Sequence, residues 1–402
     1  MKHLGWCLIW AVSGWQLAGA AQGAPRRPVV VAHYYTWYGL PGRAHGSFGH
    51  WKTSTPSALY PQGNDPSVLL FPPAIRQINS GAYPLIGPYD SMDREVVRWH
   101  MRLAKAAGID AFSVDWWGPA TWQQPRGWTH DVFVKTVLPV AEEEGLKLFL
   151  FDETAQFVKD FASVRQWTID ALRRFSGSKA WLRLDGKPVW AIYQLWEGQL
   201  SAAQGKELIQ AAEREVGPVY WIVDRMRARA GRVSAGIELF TPEEWLRVEE
   251  VDCFMGYAMF STWRLERYDQ VMPLYREWAR NLHAAGKKVM VPVHPGHDNG
   301  KIAVDPWVMP RRNGETLREF WRAGLDAGAD LIGITSFNEW PETTAIEPAL
   351  TWPDPYQYLK IVARFQGRAF VPPALPDPAY LDPAMGEFLR ERAAAQRGTG
   401  RR

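Results

Sequence analysis

Three carboxylates, Glu339, Glu342 and Glu347, crowd the stretch TSFNEWPETTAIE at 335–347. Just before them, Leu331-Ile332-Gly333-Ile334 is a continuous apolar run, as in a strand covered on both faces. A buried strand that runs straight into so much negative charge either ends in a solvated loop or delivers acids to a working cleft. Cleavage of a glycosidic bond suits such acids: one carboxyl protonates the leaving oxygen while a second acts on the other side of the sugar ring. The surroundings must then push the two pKa values apart. Glu339 and Glu342 are the best pair by position. In a continuing strand, residues three apart face opposite ways. Pro341 disfavours a regular strand there, so the chain can turn and bring both acids to one mouth.

Eight β-like runs position such acids: 29–37, 109–117, 146–153, 188–195, 218–224, 252–259, 287–294 and 331–340. Amphipathic helical patterns alternate with them at 93–108, 130–145, 163–177, 202–217, 241–250, 265–286, 313–329 and 356–365. Pro139 and Pro273 predict a kink or a late start in two of these. The alternation predicts an α/β fold, a single (β/α)8 TIM barrel. An open doubly wound sheet is the alternative, but no G-x-G-x-x-G follows the first strand. The first βα connection, 38–90, is long and rich in Gly, Pro and Ser, as in a loop that covers a site or moves. Barrel chemistry sits at the C-terminal strand ends. Those ends read Tyr34, Tyr35 and Trp37; Asp115, Trp116 and Trp117; Asp152 and Glu153; Tyr193; Asp224; Tyr257; His294; Asn338 and Glu339. Acids beside aromatic rings, without a nucleophilic thiol or a phosphate loop, suggest carbohydrate, whose hydroxyls suit carboxylates and whose C–H faces suit flat rings.

The chain has 402 residues, 47% hydrophobic and 22% charged, enough for a large core. A net charge of +3 without a dense basic stripe argues against nucleic acid. The 22 Trp and 14 Tyr exceed what packing one core needs, so part of that excess is expected to line a wet cleft. Residues 1–20 resemble a secretory leader: Lys2 and His3, an apolar run, then Ala18-Gly19-Ala20, with cleavage between 20 and 24. The run is short for a membrane span, though an uncleaved anchor is the alternative. Cys7 lies in that leader, so Cys253 alone remains and forms no internal disulfide. The expected organisation is the leader, a catalytic barrel over 27–370, and at 371–402 a strap followed by a disordered basic tail. An exported (periplasmic or secreted) monomer, free of the membrane after cleavage, is expected.

TSFNEWPETTAIE is similar to the SFNEWHEGTxIE segment of glycoside hydrolase family 99, the endo-α-1,2-mannosidases and mannanases. HYYTWYG and GHW (33–39, 49–51), IGPYDSMDREVVRWHM (86–101), VDWWGP (114–119), GLKLFLFDE (145–153), DGKPVWAIY (185–193) and PGHDNGKI with RRNGETL (295–302, 311–317) resemble its other motifs in the same order. The resemblance covers most of 29–366. It implies a (β/α)8 barrel that cleaves α-mannosidic linkages within a chain, with retention, through attack of the substrate's own 2-hydroxyl and a 1,2-anhydro sugar. Glu339 would deprotonate that hydroxyl. Glu342 would protonate the leaving oxygen and then activate water. By the same resemblance Tyr35, Trp37, His50, Trp51 and Trp116 wall the sugar subsites, Glu153 (preferred over Asp152) contacts hydroxyls, Tyr193, Tyr257, His297 and Asn338 bind substrate, and Glu347 braces the loop. Pro341 stands where the family has His, Thr343 where it has Gly, and His297 where it more often has Tyr, which marks a divergent relative.

Two other readings stay open at this level. One is a barrel glycosidase with a conventional acid and nucleophile on another α-glycan such as α-glucan; the other is a non-catalytic sugar-binding barrel. His294, His297 and Asp298 have the spacing of a divalent-metal site, but a Pro-Gly turn exposing side chains to sugar is the simpler account. No metal and no cofactor is expected.

Overall fold

In the computed structural model, residues 27–70, 74–120, 127–194, 199–230, 237–257, 270 and 272–399 are described. The expected leader lies outside them. Eight parallel strands close into a barrel: β1 (Val29–Tyr34), β2 (Ala111–Trp116), β3 (Lys147–Asp152), β4 (Lys187–Ile192), β5 (Tyr220–Asp224), β6 (Val251–Met255), β7 (Lys288–Val293) and β8 (Leu331–Ile334). Each lies inside one of the eight expected runs or within a residue of its start. β8 bonds β1 in the register Val29↔Leu331 and β7 in the register Met290↔Leu331. Closure between β3 and β4 rests on Phe151↔Ala191 and Asp152↔Ile192.

The strands are apolar on both faces because one face fills the barrel and the other meets helices. Alternation along β1 sends His33 inward against Phe151 and Tyr257, with ring centroids 4.9 and 5.0 Å away. It sends Tyr34 outward, where its hydroxyl meets His100 Nδ1 at 3.0 Å. The first helix, Arg94–Ala107, starts at Asp93, whose carboxylate accepts from the Glu95 amide, and stops at Gly108 in the left-handed region (φ 82°). Helical turns over 128–144 widen into a π-helical stretch, Phe133–Val137, just before Pro139. Proline brings no N–H and its ring crowds the preceding turn, which accounts for the widening. After Pro273 the next long helix begins late, at Tyr275.

Trp51, Trp116, Trp181, Trp190, Trp221, Trp245, Trp278, Trp321 and Trp340 are all fully buried. Much of the tryptophan excess therefore belongs to the core, each such ring contributing about 1.5–3 kcal/mol or more by leaving water. Helix Tyr275–Ala284 buries Trp278, helix Glu315–Asp326 buries Trp321, and Trp340 lies beneath the acid-bearing turn that follows β8.

Loop 38–90 is held from outside. Arg43 donates to the Ala379 carbonyl at 2.7 Å, and Arg76 pairs with the buried Asp382 at 2.7 Å. Met385 packs on Gly87, where φ is 70° and a Cβ would lie 3.1 Å from the Met385 side chain. Within the expected strap and tail, 371–402, lies a helix, Pro383–Thr399, with Met385 fully buried. Apolar contacts at its first turn give it something to fold against, which its basic composition concealed. Among the described residues, no helix is long and apolar enough to cross a membrane.

Candidate active site

The segment after β8 turns back on itself. Ser336 Oγ accepts from the Glu339 amide (2.7 Å), the Trp340 carbonyl from the Thr343 amide (2.8 Å), and the Glu339 carbonyl from the Thr344 amide (3.1 Å). The Glu342 amide is turned toward the Glu339 carboxylate. Pro341 sits inside this closed turn, so the chain leaves the strand and both acids belong to one structural unit. Thr343 has φ 54°, a left-handed conformation that is an outlier for a β-branched residue and costs about 1–3 kcal/mol. The segment it resembles carries glycine at that position.

Alternation places more acids on the inward face. Ser113 and Asp115 point in from β2; Glu153 follows β3, and Asp224 ends β5. These acids act on one another and on the rings around them: Glu153 faces the charges of Asp115, Asp224 and Glu342, and Tyr193 those of Glu153, Asp224, Glu342 and Asp115. Tyr257 faces Glu342 and Glu339. Tyr35 and Tyr257 share a hydroxyl–hydroxyl hydrogen bond, and Tyr257 lies 5.9 Å from Tyr193. Asp224 accepts from the Tyr257 amide at 3.1 Å. The rim is completed by a pile of rings in which Trp37 lies between Tyr35 (4.5 Å) and His50 (4.3 Å), with Trp117 edge-on at 5.5 Å.

Loss of hydration raises all five acids. Asp115 is pushed up to about 8 by burial, with the charge of Glu339 adding to it. Asp224 rises to about 6 by burial, moderated by Arg227 and Arg225. Burial takes Glu342 to about 7. Glu339 is raised well above the ordinary range by burial, then by Glu342; Glu153 by burial, then by Asp115. Glu339 is 4% exposed and Glu342 stands half-buried at the rim. Each keeps one carboxylate oxygen, Oε2, without a protein hydrogen-bond partner among the described residues. Two neighbouring acids that resist ionising together can hold one proton between them, so one serves as acid and the other as base.

Most expected site residues meet here: Tyr35, Trp37, His50, Glu153, Tyr193, Tyr257, Glu339 and Glu342. Four do not line this mouth. Trp116 turns outward, its indole donating to His130 Nδ1 (3.1 Å) and its ring set edge-on to Trp190; Asp115 takes the inward place on that strand. Trp51 is buried, stacked on Tyr38 at 4.2 Å and donating to the Tyr89 carbonyl. Asn338 is sealed in: its Oδ1 accepts from the Tyr35 amide (2.8 Å) and its Nδ2 donates to the Tyr35 carbonyl and the Tyr89 hydroxyl. It stitches the end of β8 to that of β1, so it orders the rim instead of offering an amide to substrate. His297 lies across the Thr343 turn, lining a cavity of about 270 Å³ with Asp298, Arg311, Gly81 and Trp352. Of the two acids that end β3, Asp152 accepts from the Thr154 amide and from the hydroxyls of Thr154 and Thr168, while Glu153 faces Asp115, Asp224 and Glu342.

Sequence reasoning named Asp115, Trp117 and Asp224 as strand ends but carried none of them into the site. A signal existed for one of them: Ser113 and Asp115, two apart in an apolar run, mark the inward face of β2. Among the described residues no cluster of three or more His, Cys, Asp or Glu is arranged to hold a metal ion.

Comparison with known proteins agrees with this architecture. The sequence profile of glycosyl hydrolase family 99 matches residues 26–218. The human glycoprotein endo-alpha-1,2-mannosidase-like protein is 26% identical over 346 residues, covering 79% of this chain and 68% of the relative. The rat (Rattus norvegicus) glycoprotein endo-alpha-1,2-mannosidase is 25% identical, covering 81% and 69%. The GH99 endo-alpha-mannosidase structure from Bacteroides thetaiotaomicron superposes with a TM-score of 0.65 at 22% identity, over 84% of this chain and 96% of that one, a likeness of fold. With the closed barrel and its rim of acids, these matches identify the chain as a glycoside hydrolase similar to glycoside hydrolase family 99.

Proposed function

We propose that the chain hydrolyses α-mannosidic linkages within mannose-type glycans, retaining the anomeric configuration, by participation of the substrate's own 2-hydroxyl. One observation carries this reading: Glu339 and Glu342 lie on a single closed turn at the barrel mouth, each with an uncommitted carboxylate oxygen. A sugar hydroxyl is a weak nucleophile, so a base must take its proton as the new bond forms; a carboxylate whose pKa is raised is a stronger base for that task. Glu339 removes the 2-hydroxyl proton. O2 bonds to C1, the bond from C1 to the leaving oxygen breaks, and Glu342 protonates that oxygen. Water then opens the 1,2-anhydro ring, giving a proton to Glu342 while Glu339 returns its proton to O2. Nucleophile and electrophile share one ring, so the attack gains from proximity. A Glu342 carboxyl pushed by burial to about 7 is partly protonated near neutral pH, and in that form its charge no longer adds to the burial that raises Glu339.

The aromatic rim fits a glycan. Tyr35, Trp37, His50 and Trp117 give flat surfaces for C–H faces, and Glu153, Asp115, Tyr193 and Tyr257 give polar groups for hydroxyls. The relatives' names place endo-α-1,2-mannosidases among the matching proteins, which supports mannose as the sugar. We read residues 27–370 as the catalytic unit of a monomer exported after loss of its leader, acting on an extracytoplasmic glycan without metal or cofactor.

The test is incubation with yeast mannan and a panel of other α-linked glycans, with NMR of the first-formed anomer. The expected result is release of internal fragments from mannan with retention, and no reaction of an analogue lacking the 2-hydroxyl. Turnover of that analogue would point to a conventional carboxylate nucleophile. Inactivity on every α-mannoside, with hydrolysis of an α-glucan, would move the substrate class.

A further inference from the structure

Thr343 combines features that local propensity alone does not explain. Its backbone lies in the left-handed region (φ 54°), where glycine is the natural occupant and where the resembled segment has glycine. It is almost fully buried. Its hydroxyl accepts the backbone N–H of Gly81 at 3.0 Å, and that residue belongs to the long first loop. Its carbonyl accepts from Arg311 Nη2 at 2.7 Å; the same nitrogen donates to the Ala345 carbonyl at 2.7 Å, and the guanidinium packs over the rings of Trp352 and Tyr358. One residue away, the Glu342 carbonyl accepts from the Asp298 amide at 2.8 Å. Three separate segments therefore hold the turn that presents Glu342.

A strained backbone persists only where its surroundings over-determine it. The threonine hydroxyl supplies such a constraint, since glycine at this position would relax φ but release Gly81. The bond joins residues far apart in sequence, so the position of Glu342 depends on the first loop being seated. That loop is itself held by the Arg76–Asp382 pair and by Met385 on Gly87.

We propose that Thr343 is a positioning residue: by holding the Gly81 N–H, its hydroxyl locks the turn that aims Glu342 at the leaving oxygen. This rests on the reading of Glu342 as the acid. Thr343 need not touch the reacting atoms. Its removal should affect protonation of the leaving group, while the binding of sugar by the rest of the rim persists.

The experiment compares Thr343→Ser, Thr343→Val and Thr343→Gly with the unaltered protein on two substrates: a mannan oligosaccharide, and the matching glycosyl fluoride, whose leaving group needs little protonation. Misplacement of an acid by a fraction of an ångström to an ångström reduces turnover by about tenfold to hundredfold. On the oligosaccharide, T343V and T343G should lose kcat by that factor with KM little changed, and T343S should keep most of the activity. On the fluoride, kcat/KM, which reports only the steps through departure of fluoride, should stay close to that of the unaltered protein for all three. Thermal unfolding gives the second readout: T343G, freed of its unfavourable φ, should unfold at the same temperature or higher while still losing kcat. Full activity of T343G or T343V on the oligosaccharide would overturn the proposal, as would equal losses of kcat/KM on both substrates or a T343S as impaired as T343V. Should T343V fail to fold, T343G against T343S decides. If the unaltered protein cleaves the fluoride but no α-mannoside, the functional reading fails separately; the same variants, run on whichever glycan it does cleave, still decide the role of Thr343.

Discussion

Glu347 and the pair Glu339 and Glu342 come from the same segment and share a side chain, yet their surroundings have opposite consequences. Glu347 is completely buried: Oε2 accepts from the Tyr89 hydroxyl (2.8 Å) and the Trp340 indole (2.9 Å), and Oε1 lies 3.2 Å from His100 Nε2. Its neighbours are donors. Glu339 and Glu342 instead face other carboxyls and tyrosines. Burial with donors makes a carboxylate part of the scaffold; burial with other acids leaves protons to be exchanged. On the proposed reading, the segment braces at its far end and works at its near end.

The largest break in that contrast is expected from Glu339→Gln. Loss of the base that takes the hydroxyl proton should lower kcat by about 10²–10⁴-fold, measured by steady-state hydrolysis of mannan, with little change in unfolding. Glu347→Gln should do the reverse. Removing the charge from its hydrogen bonds to Tyr89 and Trp340 should cost about 1.5–3 kcal/mol in denaturant unfolding, with a smaller loss of turnover.

The acids of the mouth also predict how stability varies with pH. The folded protein holds Asp224 at about 6, Glu342 at about 7 and Asp115 at about 8, against ordinary values of 3.8, 4.5 and 3.8. Between those limits the folded state binds more protons than the unfolded chain. Stability from these groups is therefore present at low pH and falls as pH rises through about 6 to 8. Asp115→Asn should raise the unfolding temperature at pH 8 and flatten that dependence, as followed by calorimetry across the range. The smallest effect is expected at Trp116→Phe, which loses an indole hydrogen bond to His130 on the outer face: about 1 kcal/mol of stability and no change in KM.

The barrel was legible because strands covered on both faces leave continuous apolar runs, and all eight stand out between helical patterns. Such runs hide which residues point inward. The resemblance places Trp116 in the mouth, and nothing in the run itself shows that Asp115 takes the inward place instead. Asn338 misled for another reason: an amide at a strand end reads alike whether it meets a sugar or, as here, the backbone of β1. The turn itself was legible through Pro341. The clamp on it was not, since Gly81 and Arg311 are remote from Thr343 in the chain and nothing local marks them as its partners. The helix beyond Pro383 escaped notice because its few anchoring residues sit among charged and small ones.

The most direct measurement of the central claim pairs turnover with binding for Glu342→Gln on yeast mannan fragments, by reducing-end release and by calorimetric titration. The account predicts that hydrolysis falls by about 10²-fold or more while the affinity for the fragment stays within a few-fold of the unaltered protein. Turnover preserved in this variant would contradict the assignment of Glu342 as the proton donor, and with it the reading of the turn after β8 as the catalytic centre.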